Sequence, residues 1–319
     1  MALTPEHTQW FETTFSKLVD NVESAIVGKR HVVELAFTAM IAEGHLLLED
    51  VPGTGKTSLA RAIAETVRGT SARIQFTPDL LPGDVTGVTV YDQGRFDFHH
   101  GPVFANVVLA DEINRASPKT QSSLLEVMEE RQVTTDGVTR EVGAPFMVIA
   151  TQNPIEQAGT YALPEAQLDR FLMRTSLGYP DHAATLRILE PARPVRVTVP
   201  AIAELDAITT MTGLTHEVQQ HALISDYIAR LVAGTRTATQ VRLGASMRGA
   251  LALARASRTW ALAHGRYYVI PDDVKALAEV VLAHRLILDP EAEFDGVTQG
   301  AVVRQILLDT EPPSQRDLA

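Results

Sequence analysis

The stretch from His45 to Arg68 constrains this chain more than any other. A short apolar run, His45-Leu46-Leu47-Leu48, leads through Glu49-Asp50-Val51-Pro52-Gly53-Thr54-Gly55-Lys56-Thr57 into a helical pattern with Leu59, Ala60, Ile63 and Val67 on its inner side. Four consecutive apolar residues before a glycine-rich turn read as a strand buried on both faces, as in a parallel sheet. Gly53 and Gly55 can take backbone angles that other residues avoid, so successive N–H groups can wrap a polyphosphate. Lys56 would then reach the β- and γ-phosphates, the Thr57 hydroxyl would bind Mg²⁺, and the helix that starts there adds the positive end of its dipole. The full G-x-x-x-x-G-K-T pattern requires glycine first, and Asp50 stands there instead. Taken alone, the loop could also be a glycine-rich turn without a ligand.

Further buried strands are expected at Ala72–Phe76, Val107–Asp111, Phe146–Thr151 and Phe171–Leu177, with helices between them, notably Pro118 to Arg131. Strands alternating with helices predict an α/β fold with a five-stranded parallel sheet covered on both faces. Upstream, Phe11, Phe15, Leu18, Val22 and Ile26 fall at helical spacing, and a second helix from Arg30 to Glu43 is expected to close at Gly44. Two β-hairpins interrupt the pattern: Val88–Tyr91 with Arg95–Phe98, and Gln132–Thr135 with Val138–Glu141 around Asp136-Gly137, a strong turn signal. The strand Val107–Asp111 ends in two carboxylates. Asp111 could hold Mg²⁺ through water, and Glu112 could polarise the water that attacks a γ-phosphate. A solvated acidic turn is the alternative for that pair by itself. The strand Phe146–Thr151 ends in Gln152-Asn153-Pro154, which puts an amide where it could orient the same water, although an Asn opening a turn before Pro would also fit.

Composition sets the outer limits. The chain has 319 residues, 45% hydrophobic and 21% charged, with a net charge of −11. That profile suits an ordinary globular protein and excludes bulk disorder. There is no cysteine, so disulfides, thiolate catalysis and cysteine-bound clusters are excluded. No apolar run approaches a membrane span, and the start lacks a basic-then-apolar signal, so the expected compartment is the cytoplasm. Residues 1–180 carry 14 basic and 23 acidic side chains, a net of −9. Phosphate-backbone binding would lean the other way. After Tyr179-Pro180 the texture changes: Pro191, Pro194 and Pro200 punctuate a linker or irregular strand at Val195–Val199, and helices are expected at Ile202–Met211, His216–Thr235, Ala245–Ala263, Pro271–Leu288 and Gly300–Leu308. Two domains follow: 1–190 as the α/β core and 191–319 as a small all-α region.

LLLEDVPGTGKTSLARAIA, FTPDLLPGDVTG, GPVFANVVLADEINRASPKTQSSLLEVMEERQVT, ATQNPIEQAGTYALPEAQLDRF and GASMRGALALARASR together resemble the AAA+ ATPases and, within them, the MoxR family, over nearly the whole chain. The resemblance implies a P-loop NTPase core with hairpin insertions and an all-α lid. It also implies a Mg-ATP-driven ring, usually hexameric, that remodels protein complexes in a chaperone-like way with von Willebrand factor A domain proteins. By position, Lys56 and Thr57 match the Walker A pair, Asp111 and Glu112 Walker B, and Asn153 sensor 1. Arg170 matches the arginine finger, Arg248 sensor 2, and Val27 and Gly28 the adenine-contacting turn. Catalysis would fall to Glu112, Asn153, Arg170 and Lys56. The nucleotide would lie among Val27, Gly28, Pro52, Gly53, Thr54, Gly55, Lys56, Thr57, Ser58, Asp111 and Arg248, with the metal at Thr57 and Asp111. Met247 stands where the family more often has Pro, and Arg115 is a further candidate interface arginine. MoxR proteins also tolerate a residue other than Gly at the position of Asp50.

Two other classes remain open on sequence alone: a nucleic-acid motor, since helicases share the hairpin inserts, and a nucleotide-gated scaffold with little turnover. His99-His100 lacks a suitably spaced third ligand, and Ser122-Ser123 lacks a paired histidine, so neither is read as a site. Arg248, Arg255 and Arg258 lie near one helix face, which reads as a solvated surface.

Overall fold

Residues 3–50, 53–92, 94–153, 160–190 and 198–314 are described by a computed structural model of the chain. The strands are β1 (Leu46–Glu49), β2 (Ser71–Gln75), β3 (Gly87–Asp92), β4 (Arg95–His100), β5 (Val107–Asp111), β6 (Gln132–Thr135), β7 (Val138–Glu141), β8 (Met147–Gln152), β9 (Met173–Thr175), β10 (Val241–Leu243) and β11 (Ile287–Leu288). The first helices are α1 (Pro5–Ala25), α2 (Arg30–Ile41), α3 (Lys56–Thr66), α4 (Pro82–Thr86), α5 (Pro118–Glu130), α6 (Glu165–Leu168) and α7 (His182–Leu189). Then come α8 (Leu205–His216), α9 (Ala222–Thr237), α10 (Met247–Ala263), α11 (Pro271–Leu282), α12 (Pro290–Phe294) and α13 (Gln299–Asp309).

Five strands form one sheet in the order β2-β5-β8-β1-β9. The ladders β2–β5, β5–β8 and β8–β1 are parallel. Every residue of β5 and the apolar residues of β1 and β8 are buried, as strands covered on both faces must be. The hairpins β3–β4 and β6–β7 form separate two-stranded ladders. The second turns through Asp136 and Gly137 at φ of 54° and 75°, the left-handed pair that suits the twist of a tight hairpin. No helix among the described residues is long and apolar enough to cross a membrane.

The end of α2 differs from the sequence expectation by one residue. Glu43, not Gly44, takes the left-handed conformation, at φ 54°. The N–H groups of Glu43 and Gly44 return to the carbonyls of Met40 and Ala39 at 3.1 and 2.7 Å, which ends the helix with a paired double bond that leaves fewer carbonyls open. Helix α7 occupies residues expected to approach the linker; Asp181 caps it by accepting from Ala184 N at 2.7 Å. The helix expected to run from Pro271 to Leu288 stops at Leu282. His284 and Arg285 turn to the backbone carbonyl of Phe171, and Ile287–Leu288 pairs with β10. The irregular strand expected at 195–199 lies mostly outside the described residues.

The chain separates into two compact units. One holds residues 17–170 and 175–209, including β1, β2, β5 and β8; the other holds residues 1–16, 171–174 and 210–319 and is mainly helical. The helical unit is built around Tyr227, Ile228, Leu231, Leu253, Trp260, Val274, Leu277 and Val281, all buried.

Candidate active site

Parallel register sets the site. Glu49 of β1 pairs with Gln152 of β8, Ala150 of β8 with Ala110 of β5, and Asp111 of β5 with Gln75 of β2. The segments that follow β1, β5 and β8 therefore leave the sheet side by side at its carboxyl edge, where open α/β sheets hold their ligands. This edge collects the glycine-rich loop, Asp111, Glu112 and Asn153.

On the β1 side, Gly53 and Gly55 have φ of 86° and 99°, and a Cβ on either would meet nothing within 4 Å. Gly55 is the N-cap residue of α3 and makes no side-chain cap bond, so the first-turn N–H groups of the helix face the loop. The Lys56 Nζ donates to the carbonyl of Asp50 at 3.3 Å. Thr57 is exposed, and Thr54 and Ser58 are half-buried. Pro52 lies outside the described residues. Asp50 itself is buried, and its carboxylate accepts from Ser176 Oγ, Leu177 N and Gly178 N at 2.8, 2.6 and 2.8 Å.

On the β5 side, one hydroxyl organises both acids. Thr151 Oγ1 donates to Asp111 Oδ1 at 2.7 Å and accepts from the Glu112 N–H at 2.8 Å. Asp111 Oδ2 also pairs with Arg73 at 2.6 Å. Glu112 sits at φ 57°, ψ 49°, a left-handed conformation uncommon for a residue with a side chain. Its Oε2 accepts from Gln75 Nε2 at 2.8 Å and from Arg115 at 2.9 Å. Asn153 is buried immediately after β8, and the neighbouring Gln152 Nε2 is buried without a hydrogen-bond partner among the described residues. Sequence reasoning assigned nothing to Thr151, Gln75 or Arg73. The signal for them was positional: each is on a strand adjacent to β5 or β8, at or near the carboxyl edge.

Val27 and Gly28 form the turn before α2. Gly28 has φ 74°, and a Cβ there would stand 3.0 Å from that of Ala184 in α7. Arg170 follows α6, pairs with Glu129 of α5 at 2.8 Å, and keeps a buried Nε with no hydrogen-bond partner among the described residues. These residues share one unit with the loop and the acids. Arg248 belongs to the other unit, exposed in the first turn of α10, whose Ser246 cap accepts from its N–H at 3.0 Å.

The residues fit a Mg-nucleotide. Gly53 and Gly55 leave open space that a Cβ would enter, the loop runs into an uncapped helix N-terminus, and the nearby donor set is carboxylate and hydroxyl, the hard oxygen chemistry that Mg²⁺ takes. Residues 45–173 match the ATPase family associated with various cellular activities (AAA), and residues 233–306 match the AAA lid domain. The chaperone MoxR1 of Mycobacterium tuberculosis is 42% identical over 92% of this chain and 81% of its own length. The chain belongs to the MoxR family of AAA+ ATPases. The uncharacterised YeaC protein of Bacillus subtilis is 48% identical to this MoxR-family chain, over 94% of it and 95% of YeaC. A crystal structure from Cytophaga hutchinsonii, described as a candidate ATPase, superposes with a TM-score of 0.90 at 37% identity, covering 97% of the MoxR-family chain and 98% of its own.

Proposed function

We propose that this chain hydrolyses Mg-ATP as a subunit of a ring, usually hexameric, and uses the cycle to remodel protein complexes as a chaperone with a von Willebrand factor A domain partner. The observation that carries the proposal is the shared carboxyl edge: the glycine-rich loop, the Asp111–Glu112 pair fixed by Thr151, and Asn153 leave adjacent strands. In this reading the loop residues Gly53 to Ser58 bind the phosphates, Lys56 offsets their charge, and Val27 and Gly28 flank the base. Thr57 and Asp111 hold Mg²⁺, which supplies charge neutralisation when bound. Glu112 and Asn153 orient and polarise the attacking water. The orphaned Nε of Arg170 supports a role for that guanidinium toward a neighbouring subunit's γ-phosphate, and Arg248 acts from the lid. We take residues 1–190 as the ATPase core and 191–319 as the lid, a division supported by family matches that fall on either side of it. The name of the Mycobacterium relative supports a protein client, as does the net charge of −9 on residues 1–180.

Phosphate release measured against protein concentration tests the mechanism. Turnover per subunit should rise with concentration, and Arg170→Ala should lower it on the order of 10³-fold, as loss of a trans-acting arginine does. A monomer with full activity, or an unchanged rate in Arg170→Ala, would overturn the reading. DNA-stimulated turnover would favour a nucleic-acid motor instead. A pull-down with Glu112→Gln in ATP should capture the partner or client.

A further inference from the structure

Asp50 occupies the one position at which the glycine-rich loop departs from its ordinary pattern, and the structure gives that departure a purpose. We infer that Asp50 is a positioning residue for nucleotide binding: its buried carboxylate ties the phosphate loop to the wall on the base side of the site. The inference rests on the reading of this site as an ATP site. Asp50 is 4% exposed. One carboxylate oxygen accepts from Ser176 Oγ and Gly178 N, both at 2.8 Å, and the other from Leu177 N at 2.6 Å. Its own N–H donates to Gln152 O at 3.2 Å, and its carbonyl accepts from Lys56 Nζ at 3.3 Å. One residue thus meets the end of β8, the loop lysine and the segment after β9.

That segment continues to the turn assigned to the base. Tyr179 O accepts from Lys29 Nζ at 2.7 Å, and the Cβ of Ala184 in α7 lies 3.0 Å from where a Cβ of Gly28 would stand. The segment 176–184 therefore meets Gly28 and Lys29 through Ala184 and Tyr179, and Asp50 through residues 176 to 178. A glycine at position 50 would satisfy the ordinary motif and leave three donors without their acceptor, the buried Leu177 N–H among them, and for a buried donor a lost partner costs more than the bond contributed. Charge-assisted bonds to a buried carboxylate are the strong kind, so this tie fixes the position of the segment that packs on the turn assigned to the base.

The test compares wild type, Asp50→Gly, Asp50→Asn and Ser176→Ala by equilibrium binding of Mg-ATP and of Mg-tripolyphosphate, which has no base, and by steady-state turnover. The expected result runs against the motif: Asp50→Gly, although it completes G-x-x-x-x-G-K-T, raises KM and Kd for ATP about tenfold or more while kcat stays within about threefold. Asp50→Asn keeps acceptor oxygen and recovers part of the affinity, and Ser176→Ala, which removes one donor of three, shows the smallest loss. Tripolyphosphate affinity is the same in all four proteins. Should Asp50→Gly fail to fold, Asp50→Asn and Ser176→Ala carry the comparison. Equal ATP affinity in the variants and wild type overturns the tie alone, as does a parallel loss of ATP and tripolyphosphate, which would make Asp50 a support of the phosphate loop. A wild type that binds tripolyphosphate but not ATP, or neither, overturns the reading of the site and the tie with it.

Discussion

The ends of β1 and β5 both carry carboxylates at the same edge of the sheet, yet their surroundings differ. After β1, the Asp50 carboxylate is buried under three donors supplied by residues 126 to 128 positions away. At β5, the Glu112 carboxylate keeps partial exposure, accepts on one oxygen from two flanking side chains, and projects from a backbone in the left-handed region. Asp50 is buried with donors on both of its oxygens, two of them backbone N–H groups. Glu112 is held through one carboxylate oxygen, and among the described residues the other has no hydrogen bond, which suits the proposed role toward an attacking water. The same chemical group thus serves as scaffold at Asp50 and, in the proposed mechanism, as reagent at Glu112, and residue type alone does not separate the two.

The largest expected effect isolates the reagent. Glu112→Gln should lower phosphate release by about 10²- to 10⁴-fold, the usual span for losing a general base, with ATP affinity retained. Thermal unfolding should change little, because an amide can still meet Gln75 and Arg115. A large loss of stability would put Glu112 with Asp50 as scaffold and break the contrast. Thr151→Val comes next. It keeps the shape of the side chain but leaves Asp111 Oδ1 and the Glu112 N–H without their shared hydroxyl, which costs about 1–3 kcal/mol of stability. Turnover should fall about tenfold as Glu112 loses its anchor, a loss equivalent to about 1.4 kcal/mol in the barrier. Stopped-flow phosphate release alongside denaturant titration would check both halves, and unchanged turnover would mean that the strained backbone of Glu112 is held without Thr151.

Much of the fold was legible because its signals are local. The run at Leu46, the Gly53–Thr57 loop and the Asp136-Gly137 turn are dictated by residues a few positions apart, and the structure has strands, a helix start and a hairpin there. Asp111, Glu112 and Asn153 were legible as residue types at strand ends, and the parallel register brings those ends to one edge. What escaped depends on partners remote in sequence. Asp50 looked like a defect in a motif because its donors lie beyond β9. Thr151 looked like an ordinary strand residue, since its two bonds cross to β5. The break after Leu282 was hidden because a continuous apolar pattern ends where His284 and Arg285 find backbone carbonyls 113 and 114 residues earlier.

His284 shows what burial does to a titratable group in the helical unit. Burial, aided by the neighbouring charges of Arg285 and Arg174, holds its imidazole well below the usual histidine range. It is therefore neutral when folded and takes up a proton only on unfolding. The unfolded state binds more protons below the ordinary histidine value of about 6.5, so this group's contribution is fully present above that pH and falls away as the solution is acidified through it. Wild type should lose stability relative to His284→Gln as the pH drops from 7 to 5, by at most about 1.4 kcal/mol per pH unit, the one-proton limit. Denaturant midpoints at several pH values measure the difference. Parallel profiles would mean that the His284 environment opens to accept the proton in the folded state.

The smallest effect separates the backbone of Glu112 from its carboxylate. Glu112→Ala and Glu112→Gly both remove the bonds to Gln75 and Arg115 and both abolish the proposed base, so their activities should be equally low. They differ in the backbone. Alanine must keep the left-handed angles of φ 57° and ψ 49°, which cost a residue with a Cβ about 1–2 kcal/mol relative to glycine. Against this, glycine has more freedom to lose on folding, by about 0.5–1 kcal/mol. The net expectation is that Glu112→Gly is the more stable of the two by up to about 1 kcal/mol, read as a shift in denaturant midpoint at constant slope. The order should reverse at Asp50, whose backbone is not in the left-handed region: there Asp50→Ala should be at least as stable as Asp50→Gly. A reversed order at Glu112 would mean that its unusual backbone is relaxed in solution and that strain plays no part in aiming the carboxylate. The predicted order, found at Glu112 and inverted at Asp50, would show that the β5 end gives up stability to present its acid while the β1 end does not.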